Sequence, residues 1–332
     1  MTADLSALVD AHDCLLLDLD GTVFRGPSPT RGALETLAAI GARKLYVTNN
    51  ASRSAGEVAD HLMALGVTAD AGNVVTSAQS AARVLSRHLP PDSKVLVIGT
   101  DSLAAEIALV GLQPVRSHSD APVAVVQGHS PLTGWAELAE ATLSIRGGAL
   151  WVATNADVTL PTERGLLPGN GSMVAALQAA TGAEPEVVGK PAATMLRDAL
   201  SRGVFHEPLV VGDRLDTDIG AANAAGLPSL LVLSGVSTPT DLILAPDGMR
   251  PTYLAKVLRG LRQPAACVRI GPQPGWCTTI AEGSVTVTSH GSSDAFSALR
   301  AVADAVWRGG TATVVAGDRR SRDALQRWGL AQ

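Results

Sequence analysis

The chain has 332 residues, 46% hydrophobic and 17% charged, which is enough for two or three buried cores. A net charge of -5 and an aromatic content of 3% exclude a general nucleic-acid binder, which needs a basic face, and a platform for stacking bases. No apolar run approaches the roughly 20 residues that span a bilayer. The stretch before Arg25 has neither a basic region nor a hydrophobic signal core, and Cys14, Cys267 and Cys277 form no CxxC, so a cytoplasmic location is expected.

Residues 1–13 read as a polar lead-in to LLLDLDGT at 15–22. The leucine run predicts a strand buried on both faces, as in a parallel sheet. Alternation along it puts Asp18 and Asp20 on one side and Leu19 on the other. Two carboxylates at a strand end repel each other, so a cation is expected between them, and magnesium suits oxygen ligands. A strand ending in a polar turn would also explain an isolated DxDG. Three segments further along carry the functional reading past that one.

After the first strand, TVFRGPSPT predicts a loop long enough to fold over a site, and residues 31–40 have helical spacing. KLYVTNN predicts a second buried strand, ending in Thr48, Asn49 and Asn50, with Ser52 or Ser54 capping a helix that carries Val58, Leu62, Met63 and Leu65. A hydroxyl and amides at a strand end suit phosphate oxygens. Residues from about 78 to 186 read as a second α/β unit, with strands at 94–100, 123–128 and 149–155 and helices near 102–110, 135–146 and 172–181. GNGS, at 169–172, lacks the Lys-Ser/Thr of a P-loop and reads as a turn into a helix near Ser172.

At VVGKPAATML, Lys190 precedes a helix running to about Ser201. LVVGDRLDTDIGAANAAG follows: Asp213 ends a hydrophobic strand, and Asp216 and Asp218 open a helix, with Asp216 the expected cap. Another core strand is expected at 229–235, and from about 262 a small α/β piece with a strand at 285–289, a helix at 294–308 and a strand at 311–317. The fold expected is an α/β, Rossmann-like doubly wound parallel sheet with an inserted α/β cap and a small C-terminal α+β appendage. The boundaries fall at 1–77 and 187–260 for the core, 78–186 for the cap and 261–332 for the appendage.

Asp18, Asp20, Thr48, Lys190, Asp213 and Asp218 together form a set suited to phosphoryl transfer through an aspartyl-phosphate. Asp18 would attack phosphorus, Lys190 and magnesium would neutralise the oxygens, and Asp20, its pKa raised by a crowded acidic site, would protonate the leaving alcohol.

DLDGT at 18–22, VTNN at 47–50, GKP at 189–191 and GDRLDTD at 212–218 resemble, in order, the four motifs of the haloacid dehalogenase superfamily. The long insert between the Thr48 and Lys190 motifs resembles that of the p-nitrophenylphosphatase-like branch. Within that branch, VTNNASRS, TERGLLPGNGS and GDRLDTDI, with the added C-terminal piece, resemble the glycerol 3-phosphate phosphatases. The resemblance implies Asp18 as nucleophile, Asp20 as acid/base, Thr48, Asn49 and Asn50 on phosphate, and Lys190 orienting Asp18 and the phosphoryl oxygens. It also implies Mg2+ on Asp18, the Asp20 carbonyl and Asp213, with Asp218 behind them, and a cap whose Asn155, Asp157, Arg164 and Asn170 select the substrate. The substrate implied is a small phosphorylated metabolite, glycerol 3-phosphate first, with phosphoglycolate, sugar phosphates and nucleotides as alternatives. The appendage resembles a partial acetyltransferase without its Gly-rich coenzyme A loop, so a structural or oligomerising role is expected, and a homodimer is left open. A signalling receiver or a non-catalytic phosphate-binding protein is the alternative of another class.

Overall fold

The computed structural model describes residues 6–162, 164–281, 283–291 and 294–330; the start of the polar lead-in and the last two residues of the appendage lie outside these. The chain forms two compact units, Met1–Lys44 with Val204–Gln332, and Leu45–Gly203. It passes from the first to the second within the strand Arg43–Thr48.

In the first unit, four parallel strands stand in the order Tyr253–Ala255, Ser229–Val232, Pro208–Gly212 and Cys14–Leu17. Cys14 pairs with Pro208 and Leu17 with Val211, so Asp18 and Gly212 leave neighbouring strands at the same edge. Every residue of Cys14–Leu17 is buried, as a strand covered on both faces requires. TVFRGPSPT is not a free loop: Phe24–Arg25 and Ser28–Pro29 pair as a short hairpin, tied down by Thr30, whose hydroxyl donates to the Thr22 carbonyl at 2.6 Å.

The C-terminal piece is a three-stranded sheet, Trp276–Ala281 antiparallel to Ser284–Ser289 and the latter parallel to Thr313–Ala316, covered by helices Ala295–Gly309 and Arg319–Gln326. It has no core of its own. Phe296, Leu299, Val302 and Val306 share one apolar cluster with Leu231, Leu242, Ile243 and Leu254 of the parallel-sheet region. Trp307 also donates its indole N–H to the Leu242 carbonyl at 3.1 Å.

In the second unit, Arg43–Thr48 pairs in parallel with Val74–Thr76. A separate five-stranded parallel sheet runs Glu186–Val187, Leu150–Ala153, Ala124–Gln127, Lys94–Ile98 and Gln113–Val115. Strand alternation sorts its residues cleanly. Val95, Val97, Val126 and Val152 pack with helix Ser77–His88, while Leu96, Ile98, Val125 and Trp151 pack with helices Trp135–Arg146 and Asn170–Thr181. Of the two serines expected to cap helix Ala55–Ala64, Ser54 does so, in a capping box: Ser54 Oγ accepts from Glu57 N at 3.2 Å while the Glu57 carboxylate accepts from Ser54 N at 2.7 Å. Met63, counted with that helix's apolar positions, is exposed, because the buried stripe runs through Val58 and Leu62.

Candidate active site

The first unit gathers three carboxylates. Asp18, Asp213 and Asp218 each offer an oxygen, and these lie within 4.8 Å of one another. Asp213 and Asp218 are 0% and 1% exposed, and Asp18 is half-buried. Three negative groups so close in a dry setting demand a cation, and an all-oxygen set fits a hard divalent ion such as Mg2+.

Backbone and hydroxyl donors fix the group. Asp213 Oδ2 accepts from Val236 N at 2.6 Å and Oδ1 from the Thr22 hydroxyl at 3.4 Å. Asp218 Oδ2 accepts from Asp213 N at 3.2 Å and from Arg214 N at 3.1 Å, closing the turn that leads into helix Gly220–Ala225. Neither Asp216, the expected cap, nor Asp218 caps this helix; Asp218 instead ties down the turn before it. Asp216 is exposed and bound to the Arg214 guanidinium; burial pushes its carboxyl up, but that hydrogen bond and charge bring it below the ordinary value. Gly21, at φ +89°, makes the turn after Asp20, and a β-carbon there would stand 2.5 Å from Asp213 Oδ2. One on Gly235 would strike the same carboxylate. Asp20 is exposed and its carboxylate is not one of the three.

The second unit holds a polar network. Lys190, 4% exposed, donates through Nζ to the Val47 carbonyl at 3.2 Å. Asn49 clamps the backbone of Lys190 from both sides, its Oδ1 accepting from Lys190 N at 2.8 Å and its Nδ2 donating to Lys190 O at 3.1 Å. The same Nδ2 donates to Asp157 Oδ2 at 3.2 Å, and the Asn49 carbonyl accepts from Asn155 Nδ2 at 2.8 Å. Thr48 is buried and its Oγ1 accepts from Asn50 N at 3.1 Å. Asn50 in turn accepts from Ser52 N at 2.8 Å.

Asn170 does not reach outward as a substrate contact would. It is 1% exposed and spends its amide on the Asn155 carbonyl at 2.7 Å. The helix beginning at Asn170 starts two residues earlier than the turn reading placed it, and Gly169 and Gly171 are needed there because a β-carbon on either would strike backbone at 156–159. Arg164 lies apart from the network, exposed in the turn of the hairpin Thr159–Thr162 and Gly165–Pro168.

Comparison with known proteins fits this arrangement. A haloacid dehalogenase-like hydrolase family model matches residues 15–113, a HAD-hydrolase-like model matches 187–261, and a GCN5-related N-acetyltransferase-like domain model matches 273–330. The D-glycerol 3-phosphate phosphatase of Mycobacterium tuberculosis is 55% identical over 340 residues, spanning 98% of this chain and 96% of its own. The chain belongs to the haloacid dehalogenase-like hydrolases. Among solved structures, the glycerol phosphate phosphatase Rv1692 of M. tuberculosis in complex with magnesium superposes with a TM-score of 0.96 at 57% identity, over 98% of this chain and 99% of that one. The p-nitrophenyl phosphatase of Archaeoglobus fulgidus gives 0.70 at 29% identity, over 75% of this chain and 98% of that one.

For a haloacid dehalogenase-like hydrolase, the sequence reading missed the Ser234–Ser237 turn. Its Val236 N–H and its Gly235 hold and make room for Asp213. The signal was present, since Gly235 follows the apolar run Leu230–Leu233 closely, much as Gly212 follows Leu209–Val211.

Proposed function

We propose that the chain is a magnesium-dependent phosphomonoester hydrolase acting on glycerol 3-phosphate through an aspartyl-phosphate. The observation that carries the chemistry is the three-carboxylate group at the end of the Cys14–Leu17 strand, with the carboxylate of Asp18 inside it. The substrate rests on the near-complete match to the mycobacterial D-glycerol 3-phosphate phosphatase, which extends over the appendage.

In this reading Asp18 attacks phosphorus in line and Asp20, exposed beside it in sequence, gives its proton to the departing alcohol. The Asp18–phosphoryl bond then breaks as Asp20 takes a proton from the attacking water, releasing phosphate and restoring both carboxyl groups. Asp18, Asp213 and the Asp20 carbonyl would hold Mg2+, which supplies charge neutralisation for the phosphoryl oxygens. Asp218 keeps the Asp213 backbone in place. Lys190 serves as a fixed cation and Thr48 and Asn50 as phosphate contacts, while Asn49 and Asn170 hold backbone. Residues 78–186 act as the cap, 1–77 and 187–260 as the core and 261–332 as the appendage, with Arg164 a candidate for the substrate's far end. No helix among the described residues is long and apolar enough to cross a membrane. Cytoplasmic residence and a homodimer complete the reading, the latter checked by light scattering.

Phosphate release with Mg2+ from glycerol 3-phosphate, phosphoglycolate, a hexose phosphate and a nucleoside monophosphate tests it. Highest kcat/KM on glycerol 3-phosphate is expected; a higher value on any other member reassigns the substrate, and no release from any of them removes the hydrolase reading.

A further inference from the structure

A cavity of about 460 Å3 opens in the first unit, separate from the three carboxylates. It lies past the carboxyl ends of strands Ser229–Val232 and Tyr253–Ala255, where Leu233, Ser234, Lys256 and Val257 form one wall. The hairpin after the first strand forms the other, with Arg25, Ser28 and Arg31. Three side chains that line it are cationic and none is acidic. Among the described residues, neither Arg25 nor Arg31 has a carboxylate partner, and the Arg259 guanidinium lies close by, against Gly32.

Lys256 is exposed, but its ammonium is fixed by aromatic contacts. Its ammonium stands 5.2 Å from the Phe296 ring centroid and 5.4 Å from that of Trp328, two rings of the C-terminal piece that are themselves 5.3 Å apart. Trp328 is anchored through its indole N–H to the Ala295 carbonyl at 2.6 Å. Two aromatic faces thus hold a cation at the cavity wall, where like charges already gather. Such a convergence is unfavourable on its own and becomes favourable when an anion enters.

We propose that this cavity binds a small phosphorylated metabolite as a second ligand, distinct from the phosphoester under attack. Tetrahedral oxyanions suit Arg and Lys donors converging from two walls. The volume is within the range of small-molecule sites and leaves room for an organic group on the phosphate. The site also touches the catalytic turn. Ser234 Oγ donates to the Gly21 carbonyl at 2.8 Å and Thr30 to the Thr22 carbonyl, so its two walls hang on the residues that directly follow Asp20. Occupancy would be felt at that turn, and the C-terminal piece acquires a role as the holder of Lys256.

The test uses the full chain without added metal and with EDTA, at constant ionic strength, so that turnover is absent. Glucose 6-phosphate and inorganic phosphate are titrated while thermal unfolding is followed, and Kd is taken from the concentration dependence. Glucose 6-phosphate is expected to bind the unsubstituted chain. Arg31→Gln with Lys256→Gln should weaken it at least tenfold, Arg31→Lys with Lys256→Arg should retain it, and Trp328→Ala should weaken it less than the double change. Tighter binding of inorganic phosphate, lost in the same double variant, would overturn the metabolite in favour of the free ion. No binding, or equal binding by the unsubstituted and Gln-substituted chains, overturns the site itself.

Discussion

At the scale of single residues, the chemistry converges on carboxyl groups whose settings differ sharply. Asp18→Asn keeps the size and removes the nucleophile, so hydrolysis of p-nitrophenyl phosphate with Mg2+ should fall by at least about 10³-fold with the thermal melt unchanged. Asp213 is crowded by glycines because no larger side chain leaves its carboxylate room. Gly235→Ala should therefore raise the Mg2+ concentration for half-maximal activity by roughly 10-fold or more, as disturbing the support of a metal ligand does. Cys14 makes a contrasting case: burial pushes its thiol up to about 12. With Cys267 and Cys277 exposed, a thiol reagent at mildly alkaline pH should label two cysteines in the native chain and all three after denaturation. Much of this was legible in the sequence, since Asp18 and Asp213 each close an apolar run, with Gly21 soon after the one and Gly212 just before the other. The different settings of Asp216 and Asp218 were not, because both occupy the helix start and only the direction of the turn decides which carboxylate faces inward.

At the scale of elements, the long buried strands came through well and boundaries less so. The runs at Leu209–Val211 and Val95–Ile98 are buried on both faces and read directly as strands. Trp276–Ala281 did not, because three of its last four residues, Thr279, Ile280 and Ala281, are exposed and no continuous apolar run marks it. The hairpin at 159–168 hid for the same reason, being Pro- and Gly-containing and exposed. Asn49 shows what a connecting segment can do: one side chain pins the Lys190 backbone from both sides and reaches Asp157. Asn49→Ala leaves Lys190 chemically intact yet unclamped, so kcat should drop by about 10- to 100-fold, in line with lost positioning. Asn49→Asp should restore little, since a carboxylate cannot donate to the Lys190 carbonyl. Equal activity in all three chains would remove the clamp from the mechanism.

On the scale of the whole molecule, the C-terminal piece is continuous with the unit that carries Asp18. Leu231, Leu242 and Leu254 are buried against Phe296, Leu299 and Val302, so removing residues 273–330 uncovers leucines rather than detaching a module. Truncation there should lower the melting temperature by 10 °C or more, or leave the chain insoluble, because each uncovered leucine costs about 2 kcal/mol of burial. A truncated chain with an unchanged melt would show the shared core to be dispensable. Sequence alone could mark this piece as separate by its change in composition, but not that its apolar helix face is spent on its neighbour. The same shared packing bears on how the protein is made. Leu15–Leu17 leaves the ribosome early, while its partner strand at Pro208–Gly212 and the helix that seals the neighbouring strands arrive late. The first unit therefore cannot complete its sheet and shared core until those later segments have been made, and in that interval the cell's holding chaperones have most to protect.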